Sequence, residues 1–593
     1  MLPVPTSVIT TLVLAVLYYA GNLFQNIRKA KTVGLPLNVT PSSVWVFSDV
    51  TLFSFRAVRY VVDNLLPLSI ADNLNHSAFA RRWATKDRMF QRFGGCFMTV
   101  KPFGLTLDVC DADVVHQICS QRYDFPKAAD MYDVLVMYGP NLVASDNKDW
   151  PRHRHHTAPG FNEKNNALVW SEAISQTMQM INEWRGSDES SGNGFHVMNL
   201  LSYIHKLILQ ILASAAFGVR LPYVSKLGEA HEKNAKSVFE DSPTPPTGYN
   251  ATFRSVSQYM SVHFTSVFFA VGVVPQWMPK HHLPFLKPRM EAFEDMGNYL
   301  KALVEAAKDD IANDKGTNNL LKMLVKSNED SSTKENYRLT AKEMIGNIHI
   351  FTIAGFETTA TTLRYTLVLL CLYPEKQQWL HQEIKEALRG QPEDPNEWSY
   401  AEIFPKLIAP LCVMMETLRL YPPVTSVPKS TGSTPSTINF EGKTHVIPPG
   451  TNISMNLNAL HYRSDYWGPD VRSFVPERWD ARNKESFLAQ NDGVEGLIAP
   501  GLEYSTLHKP MRGSYLPFSD GNRACIGKKF AQVEYVAILA TIFRDHEVSL
   551  AKISPNESQE AMEKRAWKIL DDSFSVITIT MQDDVPLYFR KAE

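Results

Sequence analysis

Cysteine is scarce and scattered in this chain. The six cysteines of 593 residues stand at 96, 110, 119, 371, 412 and 525, with no C-x-x-C pair. That spacing excludes a disulfide framework and suits a reducing compartment. An excess of either charge is also missing: 60 Lys and Arg face 62 Asp and Glu, a net charge of −2. No electrostatic footprint for nucleic acid follows from that balance, so no nucleic-acid partner is expected. Internal repeats are absent. With 44% hydrophobic residues the composition is globular, and the length is ample for a large core.

Charge is missing altogether from Thr6 to Phe24, where most residues are apolar. The run is close to the roughly 20 residues that span a bilayer. Arg28, Lys29 and Lys31 follow, and no Lys or Arg precedes, so the positive-inside rule places everything after residue 28 in the cytosol. A cleaved signal peptide is the rival, weakened by the missing basic n-region. Residues 1–27 are therefore expected to form a single N-terminal transmembrane anchor. Residues 28–50 read as a linker, stiffened from Gly34-Leu-Pro36 to Pro41, and 51–593 as the folded domain. The sequons at Asn38, Asn75, Asn250, Asn452 and Asn556 would then stay unglycosylated.

The most informative stretch lies near the other end: Phe518-Ser-Asp-Gly521-Asn-Arg523-Ala-Cys525-Ile-Gly527. The pattern from Gly527 to Ala540 is helical. Cys525 would sit at that helix start, where free N–H groups and the helix dipole stabilise an anion. A thiolate there is a soft, strongly donating ligand that suits haem iron. Gly521 and Gly527 let backbone approach the sulfur or the flat macrocycle. Arg523 offers a fork of donors for a haem propionate, and Phe518 would pack beside the thiolate and limit water. A lone cysteine is more often a small core residue. Five fixed types in ten positions, however, arise by chance about once in ten thousand such chains.

The pattern F-x-x-G-x-R-x-C-x-G is the signature of the cytochrome P-450 family of haem-thiolate monooxygenases, and the chain resembles that family here without a departure. Three further motifs occur in the family's order. Trp150 and Arg154 are four apart, so on a helix begun near Pro151 they share a face. Both can donate to a propionate; alone, the pair reads equally as an Arg packed on a Trp, and the resemblance carries the haem-binding role. The loop from about Pro126 to Leu142 would border the substrate.

The second motif is Ala354-Gly355-Phe356-Glu357-Thr358-Thr359, inside a long helical pattern from Glu343 to Leu370. Gly costs about 1 kcal/mol against Ala in a helix interior, and the threonines are poor helix formers. A local rule broken inside a strong helix points to a functional site. Gly355 would leave room for a diatomic ligand above the iron. Thr358 can bond back to the carbonyl four residues earlier and hold a water, and Glu357 can relay protons. The resemblance gives Thr358 and Glu357 the roles of oxygen activation and proton delivery.

The third motif, Glu416-Thr-Leu-Arg419, is an E-x-x-R pair that chance supplies about twice in such a chain. It is followed at Pro476-Glu-Arg478-Trp479 by a close match to the family's P-E-R-F, with Trp479 a benign exchange for Phe. Glu416, Arg419 and Arg478 are expected to form a buried network behind the Cys525 loop. Lys429 stands where many relatives carry an Arg or His that reaches a propionate, a role lysine fills as a point charge.

Between the motifs the reading is coarser. Two strands of a hairpin are expected at 96–102 and 104–109, and a helix at 111–119. Ser202–Phe217 reads as a buried helix, and 186–194 as a flexible loop. The apolar stretch Val262–Met278 is either a pocket roof near the membrane or ordinary core. The polar stretch 480–517 reads as a surface insertion. Strands are expected at 546–550, 575–581 and 585–589, with the turn at 571–575 aiming Phe574 into the pocket.

The resemblance covers essentially everything after the anchor. It implies a mainly helical fold with small sheets, haem b (iron protoporphyrin IX) held by Cys525, and NADPH and O2 as cosubstrates. The implied reaction inserts one oxygen atom into a hydrophobic small molecule. No reductase motif is present, so a separate NADPH-cytochrome P-450 reductase would supply electrons. The anchor resembles that of microsomal fungal members, many of which tailor secondary metabolites, and the expected location is the endoplasmic reticulum membrane, with lipid as a neighbour and the domain facing the cytosol. Two alternatives stand beside this. One is a reductase-independent isomerase or dehydratase of the same family, which often lacks the acid–threonine pair. The other is a non-catalytic membrane haem protein.

Overall fold

The computed structural model describes residues 6–40, 52–53, 55–187, 194–221, 238–239, 244–275, 277–313, 319–330, 332, 334–483, 507–575 and 578–592. These residues are mainly helical with small sheets, as expected. Helix α1 (Thr6–Lys31) carries the apolar N-terminal run and ends in Arg28, Lys29 and Lys31, which complement the negative end of its dipole. Val13, Leu14, Val16, Leu17, Tyr18 and Phe24 are exposed on it. Its C-terminal half is docked. Asn26 donates to the Lys101 and Pro102 carbonyls at 2.9 and 3.1 Å, and Tyr18 and Tyr19 meet the Phe103 ring at 6.1 and 5.8 Å.

The stretch expected to be a linker is built into the domain. Strand β1 (Leu37–Val39) pairs in parallel with β2 (Cys96–Lys101), Leu37 opposite Met98. The cause is local: Asn38 is buried and needs partners. It donates to Thr99 Oγ1 at 3.4 Å and accepts from Asn73 at 2.8 Å. Residues 41–50 of the expected linker lie outside the described residues.

The expected hairpin is present as β2 and β3 (Gly104–Val109). The five-stranded sheet has the order β1-β2-β3-β8-β5, with β5 at Ser426–Ser430 and β8 at Asn452–Asn456. Helix α2 (Ala112–Ser120) starts at Asp111, whose carboxylate accepts from Val114 N–H. A second sheet has the order β4-β12-β9, from β4 (Gly194–Val197), β9 (His546–Leu550) and β12 (Leu587–Lys591). Two hairpins complete the strands: β6 (Ser436–Phe440) with β7 (Lys443–Ile447), and β10 (Phe574–Ser575) with β11 (Ile579–Thr580).

Helices that frame the site are α3 (Asp149–Thr157), α4 (Glu163–Ser187), α5 (Leu200–Phe217), α6 (Phe253–Phe268), α7 (Lys287–Ala312), α8 (Ala341–Leu372), α9 (Ile408–Leu420) and α10 (Lys528–Asp545). Helix α8 is the axis; α5, α9 and α10 all pack on it. It begins at a reciprocal cap: Glu343 N–H donates to Thr340 Oγ1 at 3.2 Å, and Thr340 N–H to the Glu343 carboxylate at 2.8 Å. Among the described residues, the helix long and apolar enough to cross a membrane is α5, and 78% of it is buried inside the protein. It is a core helix, as its all-round apolarity implies.

Other expectations are revised in detail. Phe574 packs with Phe53, Val62, Ala71, Ala78 and Ala80 in a small cluster, because the short β10 strand turns its side chain towards the N-terminal helices. Asp480 and Leu507 bridge to one another and are 0% and 2% exposed, so the 480–517 stretch leaves and re-enters the core; residues 484–506 lie outside the described residues. So do 188–193 of the loop after α4. In the 262–278 stretch Phe264 and Val267 are buried, as ordinary core, while Trp277 is 81% exposed.

Candidate active site

The Cys525 loop is shaped by two residues with positive φ, Ser519 at +58° and Gly521 at +65°. A Cβ on Gly521 would lie 2.7 Å from the Cys119 carbonyl oxygen. The close approach that demands glycine is therefore to α2, and not to the sulfur. The turn closes with Cys525 N–H donating to the Phe518 carbonyl at 2.7 Å. Cys525 reaches solvent yet sits deep among protein atoms, and that enclosure pushes its thiol pKa up. The Gly527 N–H and the charges of Arg154 and Lys528 pull it down. Gly527 is the glycine that approaches the sulfur; its Cβ would stand 4.0 Å from Cys525 Sγ. Lys528 opens α10 and lies over the Phe518 ring at 5.8 Å.

Around the loop stands a group of cations. Arg523 lies over the Trp150 ring at 4.3 Å, donates to the Ser145 carbonyl at 2.9 Å and pairs with Asp146. Lys127 N–H donates to the other Asp146 oxygen at 2.7 Å, and its ammonium to the Val143 carbonyl. Burial pushes the Lys127 pKa down to about 7 and lowers that of Lys429. Lys429 is 4% exposed on β5, and its ammonium makes no hydrogen bond or ion pair among the described residues. Asp146 and Lys127 were invisible from the sequence, since Lys127, Asp146, Lys429 and Arg523 come from four separate segments.

Glu357 and Thr358 form a second group on α8. Thr358 donates to the Ala354 carbonyl at 2.7 Å, and Thr362 donates to the Thr358 carbonyl at 2.8 Å. This is the expected back-bonding. The space expected at Gly355 is absent: its Cβ would stand 3.1 Å from Leu212 Cδ1, so this glycine lets α5 pack closely. Its neighbour Ala354 is the exposed residue on this turn. Glu357 accepts from Thr578 Oγ1 at 3.1 Å and lies 3.9 Å from His205 Nε2. Burial raises its pKa. Neither Thr578 nor His205 carried a sequence signal.

Behind the loop, Glu416 is 0% exposed. It accepts from Arg419 at 2.8 and 2.9 Å, and from Arg478, Val475 N–H and Trp479 Nε1 at 3.0 Å each. The expected network is therefore present, and Trp479 is part of it. A phenylalanine there would leave one carboxylate lone pair unmet. Trp479→Phe is expected to cost about 1.5–3 kcal/mol, the range for hydrogen bonds to charged groups, read as a lowered unfolding midpoint. His461 connects this network to the loop. Leu516 N–H donates to its Nε2 at 3.1 Å, which leaves Nδ1–H to donate to the Arg419 carbonyl at 3.0 Å. Burial pushes its pKa down to about 3, so the ring is neutral.

The residues present fit a haem. An accessible thiol at a helix start is a good ligand for a soft Lewis acid, which would deprotonate it. A buried lysine without a counter-ion, beside Arg523 and Lys127, is a ready site for carboxylates such as haem propionates.

Comparison with known proteins gives a consistent result. The family model for cytochrome P-450 matches residues 74–571. A cytochrome P-450 monooxygenase of Arthrobotrys oligospora is 28% identical, over 95% of this chain and 94% of that protein. One of Penicillium rubens is 26% identical, over 100% of this chain and 97% of that protein. A cytochrome P-450 monooxygenase of a phomenoic acid biosynthesis cluster, from Leptosphaeria maculans, is 23% identical, over 99% and 98%.

Proposed function

Because this chain belongs to the cytochrome P-450 family and is a monooxygenase oxidoreductase, we propose that it inserts one oxygen atom from O2 into a hydrophobic small molecule of secondary metabolism. A separate membrane-bound reductase would pass electrons to it from NADPH. The observation that carries this reading is the pairing of an accessible Cys525 at a helix start with an orphaned cation, Lys429. Secondary metabolism is supported by the Leptosphaeria relative, which carries the name of a phomenoic acid biosynthesis cluster. Membrane attachment, in the endoplasmic reticulum with the domain in the cytosol, is supported by the exposed apolar side of α1 and its basic end.

Bound haem, ligated by the Cys525 thiolate, supplies a redox-active iron that activates dioxygen. The chain's own residues do the rest. Gly527 N–H and Arg154 would favour the thiolate form of the iron-bound sulfur. Arg523, Lys127 and Lys429 would hold the haem propionates, and Trp150 flanks Arg523 and keeps its guanidinium in place. Phe518 screens the thiolate from water. Thr358 presents a hydroxyl on the α8 face beside exposed Ala354, and Glu357 stores a proton that the Thr358 region can pass on.

The reaction is tested with purified protein, the reductase, NADPH and labelled dioxygen, screening hydrophobic metabolites. Product carrying one labelled oxygen atom is expected. A product formed without NADPH, with no label, would instead identify an isomerase or dehydratase. Thr358→Ala is expected to lower product per NADPH by roughly 100-fold, the low end for loss of a positioned proton-transfer group, with hydrogen peroxide rising in its place.

A further inference from the structure

Glu357 is held by groups from outside its own helix, and these carry an inference that rests on the proton-delivery reading above. Its two oxygens have different neighbours. Oε1 accepts from Thr578 Oγ1 at 3.1 Å. Thr578 lies on the β10–β11 turn, 221 positions along the chain, and its hydroxyl is 3.5 Å from Thr361 Oγ1. With Thr578 donating its one hydroxyl proton to Glu357, Thr578 Oγ1 accepts from the Thr361 hydroxyl. The residue after Thr578 is anchored, since Ile579 N–H donates to the Pro423 carbonyl at 2.8 Å. Oε2 faces His205 Nε2 on α5 at 3.9 Å, slightly beyond hydrogen-bond length. A small rotation of either side chain closes that gap, and it is too narrow to admit a bridging water.

The charge state follows from the surroundings. Arg364 is the cation whose field reaches both Glu357 and His205. It is itself held by Asp584 at 2.8 Å and by Thr580 at 3.2 Å. Among the described residues no cation pairs directly with Glu357; burial raises its carboxyl pKa and pushes that of His205 down to about 3. An acid next to an imidazole can exchange one proton between Oε2 and Nε2 without net charge change.

We propose that Thr578 and His205 form a loading station for Glu357. Thr578 fixes the carboxyl by its carbonyl oxygen, and His205 returns a proton to Oε2 after the acid has given one up. Thr578 is a positioning residue; His205 is the group through which the buried acid is recharged. In each cycle the O–H bond of Glu357 breaks towards the Thr358 side, and a new one forms as His205 passes its Nε2–H proton to Oε2 while its Nδ1 takes a proton from solvent, so that the imidazole stays neutral.

The test uses infrared difference spectra of the full-length holoprotein, triggered by photolysis of its carbon monoxide complex. A protonated-carboxyl C=O band is expected that vanishes in Glu357→Gln. In Thr578→Val the band should move to higher frequency, because its carbonyl loses a hydrogen bond, and Thr578→Ser should restore it. In His205→Gln the band should remain but recover more slowly after deprotonation by a pH jump, by roughly 100-fold or more for the loss of a positioned proton donor. Absence of any Glu357-dependent band, a band unmoved in Thr578→Val, or unchanged recovery in His205→Gln would overturn the proposal. The carbon monoxide Soret position of the same samples reports separately on the haem-thiolate reading, so the two failures are distinguishable.

Discussion

Cys525→His is expected to abolish completely the red-shifted Soret band that the reduced, carbon monoxide-treated wild type displays. The shift requires an anionic sulfur donor on the iron, and imidazole is a neutral and weaker one. The loop gives the substitution little freedom. Cys525 N–H is bonded to Phe518, Gly527 lies against the sulfur, and Gly521 meets the Cys119 carbonyl. A larger ring at 525 would therefore displace the loop or bind iron in a histidine-type complex, and either outcome removes the band. A wild type showing only a histidine-type band would remove Cys525 from the ligand position, and the roles of Glu357 and Thr358 would fall with it.

Glu416→Ala is expected to lose haem before it loses secondary structure. The carboxylate is buried and receives hydrogen bonds from Arg419, Arg478, Trp479 and the Val475 backbone. Removing it leaves two buried guanidinium groups facing each other, a change that typically costs about 3–5 kcal/mol. Arg419 also donates to the His461, Val471 and Ser473 carbonyls, and His461 holds Leu516 at the start of the Cys525 loop. The disturbance thus reaches the ligand loop through named bonds. Haem per polypeptide should fall sharply in the variant while far-ultraviolet circular dichroism changes little. Retention of full haem content would show that the loop stands independently of the network.

The same carboxylate gives the wild type an acid limit. Its neighbours hold the Glu416 pKa down to about 2, below the ordinary value of 4.5. A depressed carboxylate contributes its full stability above the unfolded pKa and loses it as pH falls through the folded one. About 3 kcal/mol should therefore disappear between roughly pH 4.5 and 2. Haem release in that window should be steep in the wild type and flatter in Glu416→Gln, which cannot ionise.

Much of this was legible in the sequence where a motif is local. The Cys525 loop, the Trp150–Arg154 helix, the α8 motif and the Glu416–Arg419 pair each lie within one element, so helical spacing alone orders their residues. The hairpin at 96–109 and the buried helix read at 202–217 were legible for the same reason. What escaped depends on contacts between distant segments. Trp479 looked benign because nothing local says that its indole N–H reaches Glu416. Lys127 and Asp146 join Arg523 and Lys429 only after folding. His205 and Thr578 approach Glu357 from a core helix and a two-residue strand. Gly355 was assigned to the wrong neighbour because periodicity gives a face but not what packs on it. Phe574 and the 34–41 stretch erred alike: the pattern was right for a strand or a turn, and the partner decided which way it faced.

Helix α1 meets the domain without slack. Asn26 is pinned to the β2–β3 turn, the tyrosine pair clasps Phe103, and β1 follows within a few residues as a strand of the main sheet. A flexible tether leaves its cargo free to tumble, and every encounter must then recover the lost orientation as an entropy cost. Here that cost is met once, at folding. With α1 standing in a bilayer, the domain would hover at a set height and pitch like a sign on a post. Any co-resident protein would find the same side turned towards it each time, so that its search is confined to two dimensions and a single angle of approach.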